Sequence, residues 1–135
     1  MSRFVLVDAN ILLDVLTDDG DWAERSGAAL ARAADTTRLA INPIVYAEVS
    51  IGFDRIEDLD TALPRDVFAR LPLPWAAAFL AGKCFVRYRR SGGVRRSPLP
   101  DFYIGAHAAI EGVPLLTRDE STYRMYLPQL ALMTP

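Results

Sequence analysis

At 135 residues, 51% of them hydrophobic and 24% charged, the chain is long enough for one sizeable core and short for two, so a single domain over residues 1–135 is expected. That balance excludes a disordered or low-complexity chain. A net charge of −2 excludes a protein that coats nucleic acid by bulk positive charge, so any such contact must be local.

Phe4-Val5-Leu6-Val7 is an uninterrupted apolar run and predicts a strand buried on both faces, as in the middle of a parallel sheet. Asp8 then falls at its carboxyl end, the edge where open α/β sheets collect ligands. Asn10–Leu16 is apolar at helical spacing, and Thr17-Asp18-Asp19-Gly20 breaks it. Asp21-Trp22-Ala23-Glu24 has the form of a capping box and predicts an alanine-rich helix to about Ala34. Arg38–Asn42 reads as a short strand, and Pro43 suits the first turn of a helix through Ser50. Residues 54–70 carry mixed charge and a helix from Ile56 to Leu63.

Pro72 and Pro74 introduce a helix from about Trp75 to Tyr88, apolar on most faces and expected to be core. Arg87 to Pro100 then reads as one long basic loop, with five arginines within residues 87–96. Asp101 is expected to open the next helix, Phe102 to Glu111, which Gly112 stops. Val113–Thr117 is a strand, a short helix follows near Ser121–Met125, and Ala131–Met133 makes a last short strand. Strands alternating with helices predict an α/β sandwich with a mainly parallel sheet.

Four acids sit where this map brings them to one edge: Asp8, Glu48, Asp101 and Asp119. Singly, each has a plain structural reading, three as helix caps and Glu48 as a solvated residue. If they converge, two carboxylates about 6 Å apart repel by about 2–3 kcal/mol at an effective dielectric of ~20, and the cluster needs a cation. Oxygen-only ligands select Mg²⁺ or Mn²⁺ over zinc, and such a site serves metal-assisted phosphodiester hydrolysis.

The pieces Val7-Asp8-Ala9-Asn10-Ile11-Leu12-Leu13, Asn42-Pro43-Ile44-Val45-Tyr46-Ala47-Glu48-Val49, Pro100-Asp101-Phe102-Tyr103-Ile104-Gly105-Ala106-His107-Ala108 and Leu115-Leu116-Thr117-Arg118-Asp119 resemble the PIN-domain family, and within it the VapC toxins. The tail from Tyr123 to Leu132 resembles that family's closing strand region, so the likeness spans the chain. The resemblance implies a PIN-like three-layer α/β sandwich. It also implies a Mg²⁺-dependent endoribonuclease toxin, homodimeric and inhibited by a cognate VapB-type antitoxin. By position, Asp8, Glu48, Asp101 and Asp119 are its catalytic acids, with Asp8, Asp101 and Asp119 as metal ligands and Asn10 and Thr117 in support. RNA as the substrate comes from the resemblance alone, because water as nucleophile makes no use of a 2′-hydroxyl.

Arg89, Arg90, Arg95 and Arg96 read equally as a phosphate-tracking edge and as a solvated loop, while Arg118 suits either a substrate phosphate or a salt bridge. His107, the only histidine, is expected to pack within its helix, and Trp22 and Trp75 to anchor the core or an interface. The lone Cys84, the absence of a basic-plus-apolar leader and the broken apolar stretch at 71–85 predict a cytoplasmic protein with no membrane span. Two other classes remain at this point: a non-catalytic PIN-fold binding module, and a Mg²⁺-dependent phosphotransfer or phosphatase domain. The second is disfavoured because Lys83, the only lysine, falls in a helix.

Overall fold

A computed structural model describes residues 3–96 and 99–135; Ser97 and Pro98 of the expected basic loop lie outside the described residues. The elements in chain order are β1 (Phe4–Val7), α1 (Ala9–Leu16), α2 (Ala23–Thr36), β2 (Arg38–Ile41), α3 (Pro43–Ser50) and α4 (Ile56–Ala62). There follow β3 (Phe68–Arg70), α5 (Trp75–Arg90), α6 (Pro100–Glu111), β4 (Leu115–Leu116), α7 (Glu120–Tyr126) and β5 (Leu132–Met133). The five strands form one sheet in the order β3-β2-β1-β4-β5, and every pairing is parallel.

Successive residues of a strand point to opposite faces, and Val5, Leu6 and Val7 are all at most 1% exposed. Both faces of β1 are therefore covered, which makes three layers, helices on either side of the sheet. Parallel neighbours need crossover connections, and the helices between strands supply them. The chain leaves β1 towards β2 and β3, then returns across the sheet to place β4 on the other side of β1. The strand order reverses between β1 and β4, and ligands bind in the crevice outside the carboxyl ends at such a switch point.

Local signals explain most element boundaries. Asn42 caps α3, its Oδ1 accepting from the backbone N–H groups of Ile44 (3.0 Å) and Val45 (2.9 Å), with Pro43 in the first turn. Gly112 ends α6 in the left-handed region at φ 65°, which glycine adopts without a Cβ clash.

Elsewhere the structure corrects the sequence reading. β3 was not anticipated, because three residues between Pro64 and Pro72 are too short to show a period. The Asp21 capping box does not form: Trp22 is the N-cap residue without a side-chain bond, and Asp19 Oδ1 accepts from the N–H groups of Asp21 and Trp22 instead. α5 runs on to Arg90, so Arg87, Arg89 and Arg90 belong to a helix and not to the loop. Cations in a last turn complement the negative end of the helix dipole. Nor is α5 apolar core on most faces, since only Ala77, Ala81 and Cys84 are buried while Trp75 is 93% exposed. Asp101 does not cap α6 either; Leu99 holds the N-cap position and Asp101 lies in the first turn, its carboxyl free of that duty. The short helix expected near Ser121–Met125 is present as α7, and it carries Tyr123.

Candidate active site

The register of β1 on β4 builds the first part of the site. Val7 pairs with Leu116, and the Asp8 N–H donates to the Leu116 carbonyl at 2.9 Å, so Asp8 and Thr117 leave the sheet side by side. The Thr117 hydroxyl donates to Asp8 Oδ2 at 2.8 Å, and the same oxygen accepts from the Tyr123 hydroxyl at 2.9 Å. Asp8 Oδ1 accepts from the Ala9 N–H at 2.7 Å. Asn10 reaches Thr117 Oγ1 at 3.2 Å through its Nδ2, and its Oδ1 accepts from the Arg118 N–H. Asn10 and Thr117 thus join the ends of β1 and β4 across the switch point.

α3 and α6 complete the arrangement by packing against each other. One carboxylate oxygen from each of Asp8, Glu48 and Asp101 lies within 4.8 Å of the others. Asp119 stands beside this trio, close enough to raise the carboxyls of Asp8 and Asp101 by its charge. Its own Oδ1 accepts from the Thr122 N–H at 3.4 Å and so caps α7, and its N–H donates to Thr117 Oγ1 at 3.0 Å. The geometry places Glu48, more directly than Asp119, among the atoms able to share one ion.

No cation of the chain is bonded to Asp8, Glu48 or Asp101 among the described residues, and the titration of the group reflects that. Burial, followed by the charges of Asp8 and Asp101, pushes the Glu48 carboxyl from 4.5 to about 7. Asp101 rises from 3.8 to about 6 by burial, then by the charges of Asp8 and Asp119. Burial also raises Asp8, against the opposing bonds from Thr117, Tyr123 and Ala9. Glu48 Oε1 is buried without a hydrogen-bond partner. A buried polar atom is ordinarily satisfied, and the Glu48 carboxylate faces two further carboxylates. Three hard oxygen donors within one ion's reach, with a Glu48 carboxylate oxygen that has no protein donor, fit Mg²⁺ or Mn²⁺ and offer nothing to a soft metal.

Tyr123 was missed from the sequence because an aromatic in a short helix reads as core, and it is core, at 1% exposed. Burial and the nearby Asp8 and Asp101 charges hold its phenol well above its usual range, so it acts only as a donor. Gly105 makes room for it: a Cβ there would stand 2.6 Å from Leu127 and 2.9 Å from the Tyr123 ring. His107 is buried, and Asn42 Nδ2, whose Oδ1 is committed to the α3 cap, donates to its Nδ1 at 2.9 Å. Arg118 pairs with Asp14, Nε to Oδ2 at 2.8 Å and Nη2 to Oδ1 at 2.9 Å, and stacks 4.6 Å over Trp22. Arg89 donates to the Arg95 carbonyl, while Arg90, Arg95 and Arg96 are exposed. Trp75 is at the surface, which removes the core reading of that residue.

An all-parallel sheet with a switch point defines a class of α/β proteins whose ligand site lies beyond the strand ends, and here that site is lined by carboxylates that could hold a metal ion. The chain belongs to the PIN-domain family, whose profile matches residues 5–127. Comparison with curated proteins finds no match. Among solved structures, the chain is similar to VapBC2 from Rickettsia felis bound to a promoter DNA fragment, at 19% identity, TM-score 0.73, and 97% and 98% of the two chains covered. It is also similar to VapBC-1 from nontypeable Haemophilus influenzae, at 18% identity, TM-score 0.72 and 97% of each chain. A toxin–antitoxin complex from Klebsiella pneumoniae matches at 23% identity, TM-score 0.70 and 97% of each chain. At these identities the likeness is one of fold. No helix among the described residues is long and apolar enough to cross a membrane.

Proposed function

We propose that this protein is a metal-dependent endoribonuclease of the VapC type, a toxin that hydrolyses RNA phosphodiester bonds and is inhibited by a VapB-type antitoxin. The observation that carries the reading is the meeting of Asp8, Glu48 and Asp101 within 4.8 Å at the switch point, with Glu48 Oε1 buried and unpartnered. Similarity of fold to chains of VapBC complexes supports the toxin and antitoxin parts, and the family supports the nuclease part.

Asp8, Glu48 and Asp101 are the residues that would hold Mg²⁺ or Mn²⁺, with Asp119 adding negative charge at their flank. When bound, such an ion supplies Lewis-acid stabilisation to the phosphoryl oxygens and makes water a nucleophile at neutral pH. The chain's own part is to place the donors. Thr117 and Tyr123 fix Asp8 Oδ2, and Asn10 ties Thr117 to the β1 end, so the first ligand is ordered before anything binds. Four acids at one rim also repel a bare phosphate, so RNA approaches productively only where a cation has first offset that charge. A homodimer in the cytoplasm accompanies this reading.

The test compares wild-type protein with Asp8→Asn and Asp101→Asn on a structured RNA pool, with Mg²⁺, Mn²⁺ or EDTA, mapping the cut ends by sequencing. Metal-dependent cutting lost in both variants is expected. Equal cutting by all three proteins, or none by the wild type despite metal binding, would overturn the reading.

A further inference from the structure

Beyond the carboxyl ends of β2 and β3 lies a cavity of about 370 Å³, within the size range of small-ligand sites. Its walls are Asn42, Pro43, Tyr46, Arg70, Leu71 and Pro72, and Ile41 forms part of its floor. None of these residues belongs to the acidic cluster. The strand order puts β2 next to β1, and neighbouring strands are about 4.8 Å apart, so the cavity opens one to two strand spacings along the rim from Asp8.

The chemistry of the walls is specific. The Arg70 guanidinium lies 4.9 Å over the Tyr46 ring, and Nη2 is bound to Asp60 Oδ1 at 2.8 Å. The Tyr46 hydroxyl donates to the same oxygen at 2.8 Å. Asp60 neutralises Arg70, so the cavity lacks the free cation that a phosphate subsite requires. What remains is a flat aromatic and guanidinium surface flanked by two prolines. That combination suits a flat, largely apolar ligand that stacks on it.

We infer that this cavity receives one unpaired nucleobase of the strand whose backbone lies at the acidic cluster, the base stacking on the Tyr46–Arg70 surface. Unpaired bases are recognised by stacking on aromatic rings and guanidinium planes with hydrogen bonds to their edges. The inference rests on the nuclease reading for the position of the backbone, and it adds a source of selectivity that the acids lack.

The experiment uses full-length Asp101→Asn protein, to prevent cutting, and fluorescent RNA hexamers of each single base, read by anisotropy with Mn²⁺ present. Adding Tyr46→Leu should weaken binding of the preferred hexamer about tenfold, the effect of losing one stacked base, while Tyr46→Phe stays within about twofold. Mn²⁺ affinity should be the same in all three. A hexamer carrying 4-thiouridine should crosslink to peptides containing residues 41–46 or 70–72, a readout in unsubstituted Tyr46 protein that is independent of whether the leucine variant folds. Unchanged affinity in a folded Tyr46→Leu protein, or crosslinks confined to residues 87–96, overturns the cavity's role. If wild-type protein still cuts RNA with metal in that case, the nuclease reading stands alone. If no RNA is bound or cut, both fall together.

Discussion

Two aspartates six residues apart, Asp8 and Asp14, are buried to the same degree, at 2% and 3% exposed, and are treated oppositely by the fold. Asp14 receives a bidentate guanidinium from Arg118 and the Ser26 hydroxyl at 2.6 Å. Its charge is matched inside the protein, and the network ties α1 and α2 to the turn after β4. Asp8 receives only neutral donors and faces Glu48 and Asp101, whose charges oppose its own. An acid that the chain neutralises serves the fold, and one that it leaves short of positive charge is free to take a cation from outside.

Substitutions that remove the two kinds of charge should therefore separate activity from stability. Asp101→Asn deletes a charge that no cation among the described residues matches. RNA cutting should fall by at least about 10²-fold, the scale of losing a group that acts in the reaction, while the urea midpoint without metal stays equal or rises. Loss of stability together with activity would show that the trio is structural and would break the comparison at its active-site end. Asp14→Ala should do the reverse. It leaves the Arg118 guanidinium over Trp22 without its carboxylate, and breaking a buried pair costs about 3–5 kcal/mol. Arg118 is 31% exposed, so solvent recovers part of that and about 2–3 kcal/mol is expected from urea melts, with metal affinity unchanged. A cost below ~1 kcal/mol would place Asp14 with ordinary surface pairs.

A smaller effect sharpens the role of the neutral donors. Tyr123→Phe removes one bond to Asp8 Oδ2 and keeps the ring that fills the space beside Gly105. Outer-shell partners of metal ligands typically contribute 10–100-fold to affinity, and with Thr117 still in place about tenfold weaker Mn²⁺ binding is expected by titration calorimetry. Stability should drop by only about 1 kcal/mol. If affinity holds while stability falls, Tyr123 is packing alone.

The difference between the two aspartates also explains what the sequence disclosed. β1 and Asp8 were legible because a four-residue apolar run followed by an acid is a local signal, and Asn42-Pro43 announced α3 in the same way. A mainly parallel sheet followed from alternation of strands and helices, and the sheet is parallel throughout. Asp14 gave no sign, since an acid within an amphipathic helix reads as solvated and its partner Arg118 is 104 residues away. Tyr123, 115 residues from Asp8, was hidden for the same reason. β3 and the extent of α5 escaped because arginines and short segments carry little periodicity, and packing on α6 decides where α5 lies. Local chemistry shows in a sequence, whereas pairing across the fold becomes visible only once the chain is folded.

The smallest expected effect is on pH. In the metal-free protein Glu48 titrates at about 7 and Asp101 at about 6, against ordinary values of 4.5 and 3.8. Raised acids mean that the folded state binds more protons than the unfolded one between about pH 4 and 7. Stability therefore falls as pH rises through that window, and the penalty is fully present above 7. Asp60, whose carboxyl Arg70 and Tyr46 hold below its usual value, acts with the opposite sign but below that window. Calorimetric melts without metal should give a lower Tm at pH 8 than at pH 5, and Glu48→Gln should flatten the decline. Mn²⁺ should raise Tm more at pH 8 than at pH 5, because an ion bound by carboxylates displaces their protons. The comparison rests on this last sign: a Mn²⁺ shift that is equal at both pH values would mean that the ion does not use the acids the fold left unmatched.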